Sequence, residues 1–512
     1  MPASSQKVAR FSQLREHHAI RVVVDSENVL LIRDGDTVHA YAADCPHAGG
    51  PLEEGAVCNG HIVCPWHKGT FELSTGNLVE PPALMALDRY PVVVDGDDVL
   101  VTPAKLPAPA AAGSNDSRVF AIVGAGAAGA AACAELRAQG FAGRIVLIGT
   151  EEAPPYDRTS LSKFVLSGEM KPDEVPPLLP AGFIERERIE RIDSPVLQLD
   201  VPNRRIRFAD GNDLAYDAAL LASGSEPKVP PIPGHDLEQV YVLRSLHDAH
   251  TIVGATGDAT RVVILGSSFI GLEAASALRK RNLAVTVVSP TKVPFARQFG
   301  ERIGTMLRKL HEDNGVVFRL DSKVSSLEGE GAVREVVLEG GERIPADIVL
   351  LGTGVAPATG FVDGIELQKD GGVAVDAGMQ VAPGLHAAGD VAAFPLDAGG
   401  PLVRIEHWRV AQQHARIAAR NMCGASEHYE GVPFFWTYHY GKNFEYLGHA
   451  ATWDDIVVEG DIDRHAFLAL FVKDGKVVAA VACERDSATA RLIGFMRKGL
   501  SPQEALRIAS GE

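Results

Sequence analysis

Cysteine is scarce in this sequence, six in 512 residues. That is too few for a disulfide scaffold, and in a reducing compartment grouped cysteines serve more often as ligands or redox groups. Positive charge is short as well: Lys and Arg total 49 against 66 Asp and Glu, a net charge of −17. Such a balance argues against a nucleic acid or an anionic membrane as partner. No apolar run is long enough to span a bilayer; the longest uncharged one, Val119 to Ala134, is mostly glycine and alanine. The opening stretch "MPASSQKVARFSQLREHHAI" lacks the apolar core of a secretion signal, and Glu16 weakens a transit-peptide reading, so cytoplasm is the expected compartment. A chain of this length suits three or four units, each burying its own core.

Residues 1–102 carry short segments with period-2 alternation, "AIRVVVD", "NVLLIRD", "TVHAYA", "HIVCP" and "PVVVDGDDVLV". With Asp34-Gly35 and Asp95-Gly96 as hairpin turns, they predict a small all-β domain. The Pro-, Ala-, Gly- and Ser-rich stretch 103–117 cannot build a core and fits a flexible linker. From Val119 on, apolar strands alternate with glycine loops and Ala-rich helical stretches, the pattern of a parallel doubly wound sheet. "VFAIVGAGAAGAAACAELRAQ" recurs as "RVVILGSSFIGLEAASALRKR", which implies two dinucleotide-binding domains. Strand-like pieces return after His428, and an amphipathic "SPQEALRIA" closes the chain, so a third, small α+β domain is expected there.

"DCPHAGGPLEEG" and "CPWHKGTF" supply Cys45-x-His47 and Cys64-x-x-His67. Two thiolates and two imidazoles hold either a tetrahedral zinc or a 2Fe-2S cluster with the cysteines on one iron and the histidines on the other. Zinc fingers usually keep the Cys pair on one knuckle and the His pair on the other. Here each loop brings one of each, which suits a cluster. Cys58 and His61 lie in the same segment and read as loop packing.

In the first glycine loop Gly124 allows the tight turn, Gly126 the approach of a pyrophosphate to the helix N-terminus, and Gly129 close helix–strand packing. A second strand, "RIVLIG", ends near Glu151, with Glu152 behind it, where a carboxylate takes ribose hydroxyls. The second loop reads Gly266-x-Ser268-x-x-Gly271. Its second strand ends at Ser289, so the acid expected for the ribose of NADH is missing, and Lys292 is close by; both NADH and NADPH remain open.

The pattern C-P-H-x-G-x-P-L…C-P-W-H-x-G-x-F resembles the Rieske family over about 100 residues. Members of high potential carry a further disulfide and a serine donor; Gly50, Trp66 and "HKGT" stand at those positions here. That departure implies a ferredoxin-type cluster at the low end of the range, about −150 mV. After the linker, "PPYDRTSLSK", "YDAALLASGSEPKVPPIPG", "ADIVLLGTGVAP" and "GLHAAGDVAAF" resemble the FAD-dependent pyridine nucleotide-disulfide oxidoreductases. The likeness is to the ferredoxin reductase branch of Rieske oxygenase systems. "VPFARQFGERIG" and "RIEHWRVAQQHARIAARNM", with the Rieske segment, point to the apoptosis-inducing-factor-like proteins that carry such a fusion.

The resemblance implies a multidomain fold with an all-β Rieske domain and two α/β, Rossmann-like domains of glutathione-reductase type. The expected division is Rieske 1–102, linker 103–117, FAD-binding 118–237 and 362–427, NAD(P)H-binding 238–361 and C-terminal 428–512. It implies Cys45, His47, Cys64 and His67 as cluster ligands. Gly124, Gly126, Gly129, Glu151, Arg158, Lys163, Ala222, Ser223, Asp390, His407 and Trp408 would hold FAD, and Trp436 would cover its ring. Gly266, Ser268, Gly271, Glu273 and Gly354 would hold NADH or NADPH. Lys163 and Glu273 match an ion pair beside the flavin, where the ammonium favours the anionic reduced ring. Ser223, where threonine is usual, and the Ser268 and Ser289 substitutions are departures; only the last bears on function, through nucleotide preference.

No cysteine lies near "LSK", and Cys133, Cys423 and Cys483 are isolated, so electrons leaving the flavin have no thiol to visit. No Asp or Glu-x-x-His-x4-His stretch offers a mononuclear iron site. The expected reaction passes electrons from NAD(P)H through FAD to the cluster and on to an external acceptor protein such as an oxygenase component, the linker letting the Rieske domain swing between them. A homodimer is compatible with this. The rival is a redox-responsive interaction protein with slow turnover, as in the apoptosis-inducing-factor group.

Overall fold

The computed structural model describes residues 4–107 and 116–511. Residues 108–115, the middle of the expected linker, lie outside the described residues. The N-terminal segments form two three-stranded antiparallel sheets and a four-stranded one, Ala56–Cys58, His61–Val63, Thr70–Glu72 and Leu78–Glu80. The expected hairpins form, shifted by one residue. The strands pair through Asp34↔Thr37 and Asp95↔Asp98, leaving Gly35-Asp36 and Gly96-Asp97 as the loops. Glycine at the first loop position, with φ of 60° and 59°, suits a II′ turn, and this sets the register.

Val119–Val123 and Ala218–Leu221 lie at the centre of a six-stranded sheet whose other strands include Arg144–Gly149 and Leu385–Ala387. The chain thus returns to the first sheet after building the second. That second sheet has five parallel strands around Arg261–Leu265. Both central strands are buried almost throughout, as parallel strands covered on two faces must be. Helix α1 (Ala127–Ala138) follows the first glycine loop and α2 (Phe269–Lys280) the second. Helix α3 (Ala296–Asp313) flanks the second sheet, and α4 (Trp408–Met422) packs on α1. A five-stranded antiparallel sheet, opening with Phe434–His439, completes the fold, with a capping-box helix at Pro502–Ser510.

The N-terminal domain is docked on the rest through a buried interface. Ala56 and Val63 pack into the core of the C-terminal sheet beside Phe434 and Leu447. Arg409, Gln413 and Arg416 lie on one face of α4. The Arg409 guanidinium, 2 % exposed, donates to the carbonyls of Pro81 at 2.7 Å and Val432 at 2.9 Å. Gln413 donates to Glu80 at 2.6 Å. Arg416 donates to the carbonyls of Val79 and Leu78 and to Glu135 of α1. Separating the domains would strip these buried donors of their partners at Leu78, Val79, Glu80 and Pro81, at about 1–3 kcal/mol each. No helix among the described residues is long and apolar enough to cross a membrane.

Candidate functional site: a Cys2His2 centre beside a dinucleotide-binding core

Two facing loops bring Cys45, His47, Cys64 and His67 together, all substantially buried. Both cysteines follow strand ends, and the chain turns sharply after each; Gly49 (φ 74°) and Lys68 (φ 60°) take the left-handed conformation those turns need. The Nδ1 atoms of His47 and His67 face each other at 3.1 Å. The thiols share a hydrogen bond, which lowers Cys64 to about 7 and raises Cys45 well above its ordinary value. Burial pushes both imidazoles down, so each is neutral with a lone pair to offer.

Among the described residues, no three of the four donors come within 4.8 Å of one another. One zinc with bonds of about 2.0–2.3 Å would draw all four closer than that. A sulfur pair set apart from a nitrogen pair instead fits two irons, with Cys ligands on one and His ligands on the other. Cys58 and His61 pair across a hairpin, outside this set.

His67 meets Trp436, the ring centroids 4.1 Å apart. The Lys163 ammonium lies 5.9 Å from the centroid of the same Trp436 ring. Lys163 lies on a single π-turn, Leu161–Val165, and reaches Glu273 of α2 at 3.0 Å, both side chains almost fully buried. Ser162 donates to the same carboxylate. None of the remaining thiols is poised to react: burial raises Cys423 and pushes Cys133 and Cys483 up to about 12.

The first glycine loop is built for a ligand. A Cβ on Gly124 (φ 120°) would stand 2.1 Å from the carbonyl oxygen of Ala222, whereas one on Gly126 would meet open space. Backbone crowds the turn and leaves its ligand side clear. Glu151 is paired with Arg158, and accepts from Tyr156 at 2.6 Å. Asp390 accepts from Ser225 and, at 3.4 Å, from Arg244. The buried Nδ1 of His407 and Nε1 of Trp408 have no partner among the described residues, as groups waiting for a ligand would not. Ser223 faces away from this role, donating to the Ala358 carbonyl at 2.7 Å.

The second glycine loop opens on a cleft of about 880 Å³ that takes in Gly266, Ser268, Ser289, Lys292, Arg297 and Gly354. The Ser267 hydroxyl donates to Ser289 at 2.8 Å, and no carboxylate stands at that strand end. Glu273 is separate from this cleft; its two oxygens are engaged by Lys163, Ser162 and Thr437.

The family model for pyridine nucleotide-disulphide oxidoreductases matches residues 119–415, more than half the chain. The chain belongs to that family. Models for the Rieske 2Fe-2S domain and the reductase C-terminal domain match residues 4–91 and 434–509. This reductase is 36% identical over 491 residues to apoptosis-inducing factor 3 of Mus musculus, covering 92% of this chain and 80% of the relative. It is 37% identical to the ferredoxin–NAD(+) reductase component of a biphenyl dioxygenase system from Paraburkholderia xenovorans, covering 73% and 93%. The covalent putidaredoxin reductase–putidaredoxin complex shares its fold with a TM-score of 0.73 at 27% identity, over 78% of this chain and 99% of that one. The reductase is an NAD(P)H-dependent oxidoreductase that uses FAD and a Rieske 2Fe-2S cluster.

Sequence reasoning missed Lys68, Glu445, Arg244 and Thr437 in this reductase. The polar face of α4 was visible in "HWRVAQQHARIAARNM": Arg409, Gln413, Arg416 and Arg420 recur at helical spacing.

Proposed function

We propose that this reductase takes electrons from NAD(P)H and passes them through FAD to its own cluster, and from there to an external protein acceptor of ferredoxin or oxygenase-component type. The observation that carries this reading is the contact of Trp436 with His67, their ring centroids 4.1 Å apart, while the Lys163 ammonium lies 5.9 Å from the centroid of the same indole. FAD supplies conversion of a two-electron hydride into single electrons, and the cluster accepts those one at a time. Cys45, Cys64, His47 and His67 are proposed to bind the cluster. Gly124, Gly126 and Gly129 bind the FAD pyrophosphate, Glu151 and Arg158 its adenosine side, Asp390 the ribityl chain, and His407 with Trp408 the pyrimidine side. The Lys163 ammonium holds negative charge beside the ring, kept in position by Glu273. Gly266, Ser268, Gly271 and Gly354 line the nucleotide site. The division into Rieske, FAD, NAD(P)H and C-terminal units is proposed with the boundaries given above. Trp66, 39 % exposed and 6.4 Å from the His67 ring, lies where an external acceptor would approach.

Support for an external acceptor comes from relatives named as reductase components of biphenyl and benzene dioxygenase systems, and from the putidaredoxin complex. An anaerobic titration with NADH and then NADPH, following flavin absorbance together with the EPR signal of the cluster, tests the internal route. The flavin should bleach and a Rieske signal then appear. Trp436→Leu should delay that signal severalfold relative to bleaching. Bleaching without a cluster signal would overturn the route and favour the redox-responsive interaction protein.

Nucleotide preference is a separate outcome. Lys292 lines the cleft beside Ser289, as does Arg297, whereas the two acids of the cleft, Glu301 and Glu339, come from other segments than this strand end. Lys292→Ala should weaken NADPH binding about tenfold, the loss of one charge-assisted hydrogen bond, and leave NADH almost unchanged. Equal effects on both nucleotides would remove Lys292 from the 2′ position.

A further inference from the structure

The Lys163–Glu273 pair does not end at the flavin site. Glu273 Oε1 accepts from the Thr437 hydroxyl at 2.7 Å. Thr437 Oγ1 lies 2.9 Å from His439 Nε2, His439 Nδ1 lies 3.3 Å from His311 Nε2, and His311 Nδ1 lies 3.2 Å from the Tyr440 hydroxyl. Thr437 and His439 are alternate residues of one strand, so both point to the same side. His311 reaches them from the last turn of α3.

One assignment of hydrogens satisfies every link. Tyr440 donates to His311, His311 to His439, His439 to Thr437, and Thr437 to Glu273. It needs both imidazoles neutral, and burial holds them so, lowering His439 to about 3 and His311 well below its ordinary value. The charged groups facing the chain are Lys163 and Glu273 at the inner end and Arg279 toward Tyr440.

The outer end is held by a conformation that tyrosine rarely takes. Thr437 and His439 belong to the strand Phe434–His439, and the next begins at Lys442, so Tyr440-Gly441 forms a two-residue hairpin loop. Its φ values are 49° and 81°, those of a I′ turn, where Asn or Gly is favoured first. A bulky residue there is strained, and such strain persists where the side chain has a task. Here it sets the hydroxyl of a half-buried tyrosine over a buried histidine.

We propose that Glu273, Thr437, His439, His311 and Tyr440 form a proton path between the flavin site and solvent. This rests on the proposed position of Lys163 and Glu273 beside the flavin. A hydride brings two electrons and one proton, whereas the cluster takes only electrons, so one proton must leave the buried site per NAD(P)H. The negative charge arriving with the hydride draws one proton inward along the path onto Glu273. Once both electrons have departed, that proton and the hydride's own proton pass out through Thr437, the two imidazoles and Tyr440. The net result is one proton released for each NAD(P)H oxidised.

The test uses the full-chain holoprotein in weak buffer with a pH indicator, mixed anaerobically with NADH, the flavin and indicator signals being recorded together. In the unaltered protein the indicator should keep pace with the flavin. In Thr437→Val and Tyr440→Phe it should trail by about 100-fold, the scale of losing a positioned proton carrier. Should Thr437→Val fail to load FAD, Tyr440→Phe, altered only at the half-exposed end, decides alone. An indicator that keeps pace in the variants overturns the path and leaves the function standing. A flavin that neither NADH nor NADPH bleaches in the unaltered protein overturns both.

Discussion

Replacing Cys45 with serine is expected to abolish the Rieske EPR signal and to cut reduction of a one-electron protein acceptor by more than about 100-fold, beyond the 10–100-fold that losing an outer partner of a metal ligand costs. Two thiolates are needed on one iron, and the Cys45 and Cys64 sulfurs already sit close enough to share a proton, so a metal replaces that proton without moving the loops. A serine hydroxyl is a far weaker acid than a thiol and is not deprotonated in this buried place. Flavin bleaching by NAD(P)H should continue, because the dinucleotide sites share no residue with the Cys2His2 loops. FAD content and the elution volume of the variant check that the fold is intact. Acceptor reduction at the unaltered rate would show that electrons leave directly from the flavin.

Lys68→Met is expected to loosen the metal domain from the reductase by about 3–5 kcal/mol, the cost of leaving one member of a buried ion pair uncompensated. Lys68 is 0 % exposed and reaches Glu445, 1 % exposed, at 2.6 Å. It also donates to the carbonyl of Pro65, beside Cys64, a proposed cluster ligand. The readout is earlier loss of the cluster's visible absorbance in urea, with flavin retained. Lys68→Met combined with Glu445→Leu should recover much of the loss, since an apolar pair asks for no charge compensation.

Burial pushes the Glu445 carboxyl up to about 7 against a pull from Lys68. A carboxyl raised in the folded state binds more protons there than when unfolded, so its contribution is present in full at low pH and is lost as pH rises from the ordinary carboxylate range through about 7. The single variant should therefore lose most at alkaline pH. A loss independent of pH would place the cost in packing and not in the stranded charge.

What could be read in the chain beforehand follows from how far apart the interacting residues lie. The two Cys/His pairs and both glycine loops are local patterns whose chemistry needs neighbours a few positions away. Lys68 and Glu445 are 377 positions apart, and Arg409 and Pro81 are 328. Neither pair leaves a mark that period or spacing reveals. Lys68 showed only as a departure from the usual serine-bearing loop, and its role became visible once the C-terminal sheet was seen against it. The mobile Rieske domain expected from the Pro- and Ala-rich linker meets a buried interface instead, because linker composition constrains reach and says nothing of affinity for the surface it spans. Thr437 and His439 were hidden for another reason: alternation marks the strand, but their polar atoms are satisfied by each other and by Glu273 and His311 from two distant helices.

The docked metal domain also changes the kinetics of electron delivery. Where reductase and ferredoxin are separate molecules, each transfer waits for a collision, and its rate follows protein concentration and falls with salt as steering charges are screened. On the proposed route the first acceptor is already seated here, through contacts buried away from mobile ions. The internal step is unimolecular, the same in a dilute solution as in a crowded one, and only the final hand-over to the outside partner remains a matter of encounter.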